Sequence, residues 1–126
     1  MMNKTIATKK APNAIGPYAQ AVDTGAMVFT SGQLGLVPET GKLAEGVEAQ
    51  TRQAMTNLSQ VLAEAGLSLA DVVKTTVFVQ DLADFGTVNT VYGSFFTGSY
   101  PARSCVQVAK LPMGGLGEIE CIAVRG

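Results

Sequence analysis

From residue 47 to residue 65 the apolar positions recur at helical spacing. Val47, Thr51, Ala54, Met55, Leu58, Val61, Leu62 and Ala65 fall on one stripe, with Gln50, Arg52, Gln53, Gln60 and Glu64 off it. A helix that is apolar on one side must lay that side on another layer. Gly66 suits the left-handed C-cap, and Leu67 covers the last turn. A second helix of the same kind is capped by Asp81 or Asp84, carries Phe85, Val88, Tyr92, Phe95 and Phe96 on its apolar face, and ends at Gly98. Asn89 sits beside that face.

The rest of the chain reads as strand and turn. Lys4 to Thr8 is a short strand, followed by a turn at Ala11-Pro12-Asn13. Gln20–Thr24 and Met27–Ser31 form a hairpin about Thr24-Gly25. Gly35 and Pro38 to Gly41 continue as loop. Ser68 to Asp71 is a capped single turn, and Val72 to Val79 is a β-branched strand. Two further strands lie within Pro101–Val124, around a Pro/Gly-rich connection. The expectation is an α+β fold over residues 1–126 as a single domain, a mixed sheet with two helices packed on one face. No element remains to cover the other face, so self-association is the economical answer.

Composition narrows the chemistry. The chain has no histidine, which removes imidazole bases, His-based triads and nearly every zinc or iron site. Cys105 and Cys121 form no CxxC pair and are too few for a disulfide framework. Apolar residues make up 47% and charged residues 15%, and the formal net charge is −1 with no basic stripe. That balance counts against nucleic acid as the main partner. No apolar run is long enough to span a membrane, and Met1 to Lys10 is polar, so a cytoplasmic setting is the plain reading.

The last two strands hold the most informative residue. Arg103, Cys105 and Gln107 share one strand face, and Ala102, Val106 and Val108 share the other. Farther on, Glu118, Glu120, Ile122 and Val124 alternate with Ile119, Cys121 and Ala123. A half-buried guanidinium needs an anionic partner. That partner is either an internal carboxylate, Glu120 for example, or the carboxylate of a ligand.

These segments together resemble the RidA (YjgF) family of enamine/imine deaminases. The resemblance rests on Ala14-Ile-Gly-Pro-Tyr18, Phe29-Thr-Ser-Gly-Gln33, Lys74-Thr-Thr-Val-Phe-Val79, Asp81-Leu82 with Asp84-Phe85, Asn89, Pro101-Ala-Arg-Ser-Cys105 and Glu118-Ile-Glu120. They span nearly the whole chain in the family's order. The resemblance implies a chorismate-mutase-like fold assembled as a homotrimer, with sites in clefts between neighbouring subunits. It implies hydrolysis of 2-aminoacrylate and related enamine/imine products of pyridoxal-phosphate enzymes to a 2-oxo acid and ammonia. It assigns the substrate carboxylate to Arg103 and the water to Glu118, and it places Tyr18, Ser31, Gly32, Asn89 and Cys105 in the pocket. Three positions depart from the pattern: Gly117 before the glutamate, the short Gly98-Ser-Tyr100 link, and Leu34-Gly35 after Ser-Gly-Gln.

The residue types suit that chemistry. A planar guanidinium holds a carboxylate bidentately, which an ammonium does not. Water attacking an imine carbon needs a base and the departing amine needs a proton, and one carboxyl group serves both in turn. No metal or organic cofactor is required. If the last two strands paired as a hairpin about Met113-Gly114, Glu118 would face Ala109, roughly 20 Å from Arg103. Either the strands are not neighbours, or the site joins Arg103 of one chain to Glu118 of another; the second is the reading taken.

Blander readings stand beside these. Cys105 is more often a small buried hydrophobe than a nucleophile. Tyr18 after Gly-Pro serves equally as packing, Ser31-Gly32 as a turn whose backbone N–H groups could bind substrate, and Asn89 as a loop contact. Two rival functions share the residues. One is a non-catalytic protein that senses 2-oxo acids through Arg103. The other is an RNA-cleaving translation inhibitor, against which the missing histidine and the missing basic groove both count.

Overall fold

The computed structural model describes residues 3–126. Strands β1 (Lys4–Ile6), β2 (Ala21–Asp23) and β3 (Met27–Thr30) form an antiparallel meander. Three two-residue strands follow, β4 (Gln33–Leu34), β5 (Leu36–Val37) and β6 (Lys42–Leu43), before helix α1 (Gly46–Glu64). Then come β7 (Val72–Val79), α2 (Phe85–Gly93), β8 (Ala102–Gln107) and β9 (Gly117–Val124). The main sheet runs β1-β2-β3-β9-β7-β8, with β4 also on β9 and β7-β8 its parallel pair. A separate ribbon joins β5 to β6 around Pro38–Gly41, a stretch the sequence reads as plain loop.

The expected layers are present, with both helices on one sheet face. Met55, Leu58, Val61 and Leu62 of α1 are fully buried against Val28, Val77, Ile119 and Ala123. The end of α1 follows its signals: Gly66 has φ 78°, and Leu67 N–H bonds the Leu62 carbonyl at 2.9 Å. Ser68 and Asp71 close a capping box over a 3-10 turn at Leu69–Asp71. Asp81 caps another such turn, Leu82–Asp84, which runs into α2. That helix stops at Gly93, not Gly98: Ser94, Phe95 and Phe96 wind into successive tight turns, and Gly98 at φ 90° then redirects the chain.

Gln50, expected off the α1 stripe, is buried, and so is Asn57. Gln50 Oε1 accepts from the Leu116 amide at 2.9 Å, and Asn57 Nδ2 donates to the Leu34 and Leu36 carbonyls at 3.1 and 2.8 Å. Asn57 thus holds the β4–β5 bend on the helix, and the Gln50 side chain holds the segment entering β9. Gly35 is what permits the contact, because a Cβ there would lie 2.4 Å from the Gln50 carbonyl oxygen. The C-terminal strand is pinned as well. Arg125 pairs with Asp23 and donates to the Ala65 carbonyl at 2.7 Å.

The two last strands are not a hairpin, since β7 lies between β8 and β9. Arg103 pairs with Thr75, and Thr75 with Cys121, while Val106 and Glu118 both pair with Phe78. Directly paired residues share a face. Arg103 therefore points toward the helices with Thr75 and Cys121, and Glu118 points away with Phe78 and Val106. No described helix covers that second face, where Phe29 and Val106 stand 41% and 44% exposed.

Gly117 is buried in β9, and a Cβ there would make only an ordinary 3.7 Å contact with the Phe78 carbonyl oxygen. The strand holds its register at this position, paired with Val79. Gly117→Ala is expected to stabilise the fold by about 0.5–1 kcal/mol, by restricting the unfolded chain. Denaturant melts compare the two; a loss of stability would mean that the glycine is needed.

Candidate functional site

Two groups of candidate residues form, one on each side of the sheet. The first lies at the outer face. Tyr18, Ser31, Gly32 and Glu118 line one cleft of about 550 Å³, with Ile15, Leu34, Leu36 and Pro112 as its apolar wall. Ser31 is tied back to the preceding loop: its Oγ donates to the Ala19 carbonyl at 2.6 Å, and its N–H to the Gln20 carbonyl at 2.9 Å. The Ser31 amide, offered by the sequence as a substrate contact, is therefore occupied. Gln20 anchors that loop by taking the Thr8 amide at 2.7 Å and donating to the Pro12 carbonyl at 2.8 Å. Tyr18, half exposed, is carried at the loop's end.

Glu118 is half-buried beside Gly32. A Cβ on residue 32 would lie 2.7 Å from the Glu118 carboxyl carbon. The glycine lets the carboxyl group rest on the strand end, out of most of the solvent. Burial raises the Glu118 carboxyl above its ordinary range, and Glu120, two residues on at the same face, adds a like charge. Such a group takes up and gives back a proton nearer neutral pH than a solvated glutamate does. Gly32→Ala should leave the melting temperature nearly unchanged, because the end of a flexible side chain can move. It should lower turnover by about 10- to 100-fold through displacement of the carboxyl. Wild-type turnover in this variant would remove Glu118's present position from the chemistry.

The second group lies under the helix layer. Arg103 Nη1 donates to Asn89 Oδ1 at 2.7 Å, and its guanidinium carbon sits 5.0 Å from the Tyr92 ring centre and 5.5 Å from that of Phe85. Among the described residues no carboxylate pairs with it; the ion pairs present are Arg52–Glu48 and Arg125–Asp23. The internal Glu120 partner is excluded by topology, since Glu120 faces the other way. A cavity of about 270 Å³ opens beside the guanidinium, bordered by Asn89, Tyr92, Gly93, Tyr100 and Pro101. Tyr100, brought in by the short link after Gly98, packs edge-on to Phe96 and is missed by sequence reasoning.

Cys105 shares the Arg103 face. Burial pushes its thiol up, against a smaller opposing pull from Arg103, so it is a poor nucleophile. Among the described residues no cluster of three or more His, Cys, Asp or Glu could hold a metal ion. No described helix is long and apolar enough to cross a membrane.

Within one chain Arg103 and Glu118 cannot grip one small molecule. They lie two strands apart and three residues offset, about 14 Å between Cα atoms, and they point to opposite faces. The hairpin premise is corrected, yet the separation it implied persists for this different reason.

The family model described as endoribonuclease L-PSP matches residues 8–125. The chain belongs to this family, that of RidA/YjgF. Among its relatives is a Salmonella typhimurium protein named 2-iminobutanoate/2-iminopropanoate deaminase. It is 58% identical over 127 residues, covering 98% of this chain and 99% of the relative. The Escherichia coli K12 protein of the same name is 55% identical over the same shares. The crystal structure of E. coli TdcF with bound serine superposes with a TM-score of 0.95 at 52% identity, covering 98% of this chain and 99% of the other. The family's fold is thus that of this chain, two helices over a mixed sheet.

Proposed function

We propose that the protein is an imine deaminase, hydrolysing 2-iminobutanoate, 2-iminopropanoate and the tautomeric 2-aminoacrylate to 2-oxo acids and ammonia. The activity is that named for relatives at 58% and 55% identity over nearly the full chain. One observation carries the mechanism: Arg103 is held in place with no counter-ion among the described residues, while Glu118, its carboxyl raised by burial, faces the opposite side. Each site is then composite, with Arg103, Asn89 and Cys105 from one copy and Tyr18, Ser31, Gly32 and Glu118 from its neighbour. A homotrimer, each chain a single domain using both faces, closes this arrangement and covers the exposed sheet.

In such a site the guanidinium fork binds the substrate carboxylate and fixes the C=N carbon near Glu118. Water adds its oxygen to the carbon of the protonated imine as Glu118 takes one proton, giving a carbinolamine. Glu118 returns that proton to nitrogen and takes the hydroxyl proton as the C–N bond breaks, so that ammonia leaves and the C=O bond forms. Tyr18 shields the planar ligand from solvent. No step calls for a metal or organic cofactor, and the setting is cytoplasmic.

The family's endoribonuclease description supports a second reading, RNA cleavage. A net charge of −1 and the absence of histidine weigh against it. The deciding test is ammonia and pyruvate release from freshly generated 2-aminoacrylate by the purified protein. Release well above the spontaneous rate is expected. A rate equal to the spontaneous one would leave a carboxylate-binding protein.

A further inference from the structure

Arg103 is aimed by neutral groups, and these come from one stripe of α2 spaced i, i+4, i+7: Phe85, Asn89 and Tyr92. Tyr92 itself is fixed. Its ring is buried, packs against Phe96 with centres 5.0 Å apart, and its hydroxyl meets Thr75 Oγ1 at 2.7 Å. Thr75 is fully buried and is Arg103's direct partner in the β7–β8 register. The β7 position facing Arg103 thus also locks the ring beneath it. Burial keeps the Tyr92 phenol neutral by pushing it above its ordinary range. A carboxylate in this place would orient the guanidinium too, but it would compete with the ligand for the charge. Aromatic faces and an amide oxygen orient it and leave the charge unspent.

We infer that Tyr92, locked by Thr75 and assisted by Phe85, is a positioning residue that holds Arg103 in the geometry that receives the substrate carboxylate. This rests on the reading of Arg103 as the carboxylate receptor. Specificity for planar carboxylates follows from the ring as well as from the arginine, because a fork free to swing loses its bidentate fit.

The test uses the assembled full-length protein, with 2-oxobutanoate as the probe. Its affinity is measured by calorimetry, and the Arg103 Nε–H signal is followed by NMR. In the wild type the ring currents of Tyr92 and Phe85 displace that signal, and 2-oxobutanoate shifts it further. Tyr92→Leu is expected to return the signal toward that of a free arginine and to weaken 2-oxobutanoate by about 5- to 30-fold. The same loss should appear in KM, with kcat little changed. Tyr92→Phe keeps the ring and should stay within about threefold of wild type. Should Tyr92→Leu not fold, Phe85→Leu, at a residue 39% exposed, probes the same platform with an expected loss of about two- to fivefold.

An unmoved arginine signal, or unchanged affinity in a folded Tyr92→Leu or Phe85→Leu protein, overturns the positioning role alone. A wild-type Arg103 signal indifferent to 2-oxobutanoate overturns the receptor reading, and this inference with it.

Discussion

Glu118→Gln is expected to reduce kcat/KM for imine hydrolysis by about 100- to 10,000-fold, the usual worth of one positioned acid–base group. The amide keeps the shape of the carboxyl and its contact with Gly32, so thermal stability and 2-oxo acid binding should be nearly preserved. The pH profile gives an independent check. A raised folded pKa means that the carboxylate needed as a base is lost as pH falls through a value above the ordinary 4.5. The acidic limb of kcat/KM should therefore lie above pH 4.5. Glu120→Gln removes the like charge, the lesser cause after burial, and should move that limb downward. A limb at or below the ordinary glutamate value would separate Glu118 from the base.

Arg103→Ala removes the charge and both arms of the fork. Two charge-assisted hydrogen bonds are each worth roughly 1.5–3 kcal/mol, so affinity for the carboxylate should fall by about 100- to 10,000-fold. Arg103→Lys should recover only part of this, since an ammonium cannot replace the fork. The side chain is bordered by a cavity and, among the described residues, no ion pair depends on it, so the alanine variant should stay folded. Composite sites add a sharper expectation. Inactive Arg103→Ala and Glu118→Ala chains, unfolded together in equal amounts and refolded, should recover about one quarter of wild-type activity, because one random interface in four then unites both intact residues. No recovery would place both groups at a site within one chain.

Much of the architecture is local, and so it is legible in the residues. The α1 stripe, its Gly66 cap, the Ser68 capping box and the in–out alternation of β9 each follow from spacing over a few positions. The insertion of β7 between β8 and β9 does not, because strand order is set by long-range pairing that alternation leaves open. Gln50 reads as a position off the apolar stripe and Asn57 is not singled out at all, yet both bury their amides against backbone, Asn57 at the β4–β5 bend and Gln50 at the segment entering β9. Their signal was present: both lie on one helix face, seven residues apart, beside the apolar stripe.

The candidate site was legible as a set of residues and not as an arrangement. Motif likeness collected all seven positions, whereas their division between two faces needed both the parity of each strand and the register linking Arg103 through Thr75 to Cys121. The Phe85 and Tyr92 platform was hidden for another reason. Aromatic residues at helical spacing look alike whether they fill a core or support a cation, and only the single arginine opposite them distinguishes the two.

The neutral setting of Arg103 also bears on the solution around the protein. A cation steadied by rings and an amide has, among the described residues, no ion pair to break before a small oxyanion that fits the cavity reaches it. Sulfate or phosphate in a buffer should then act as a competitor, raising the apparent KM and leaving kcat unchanged.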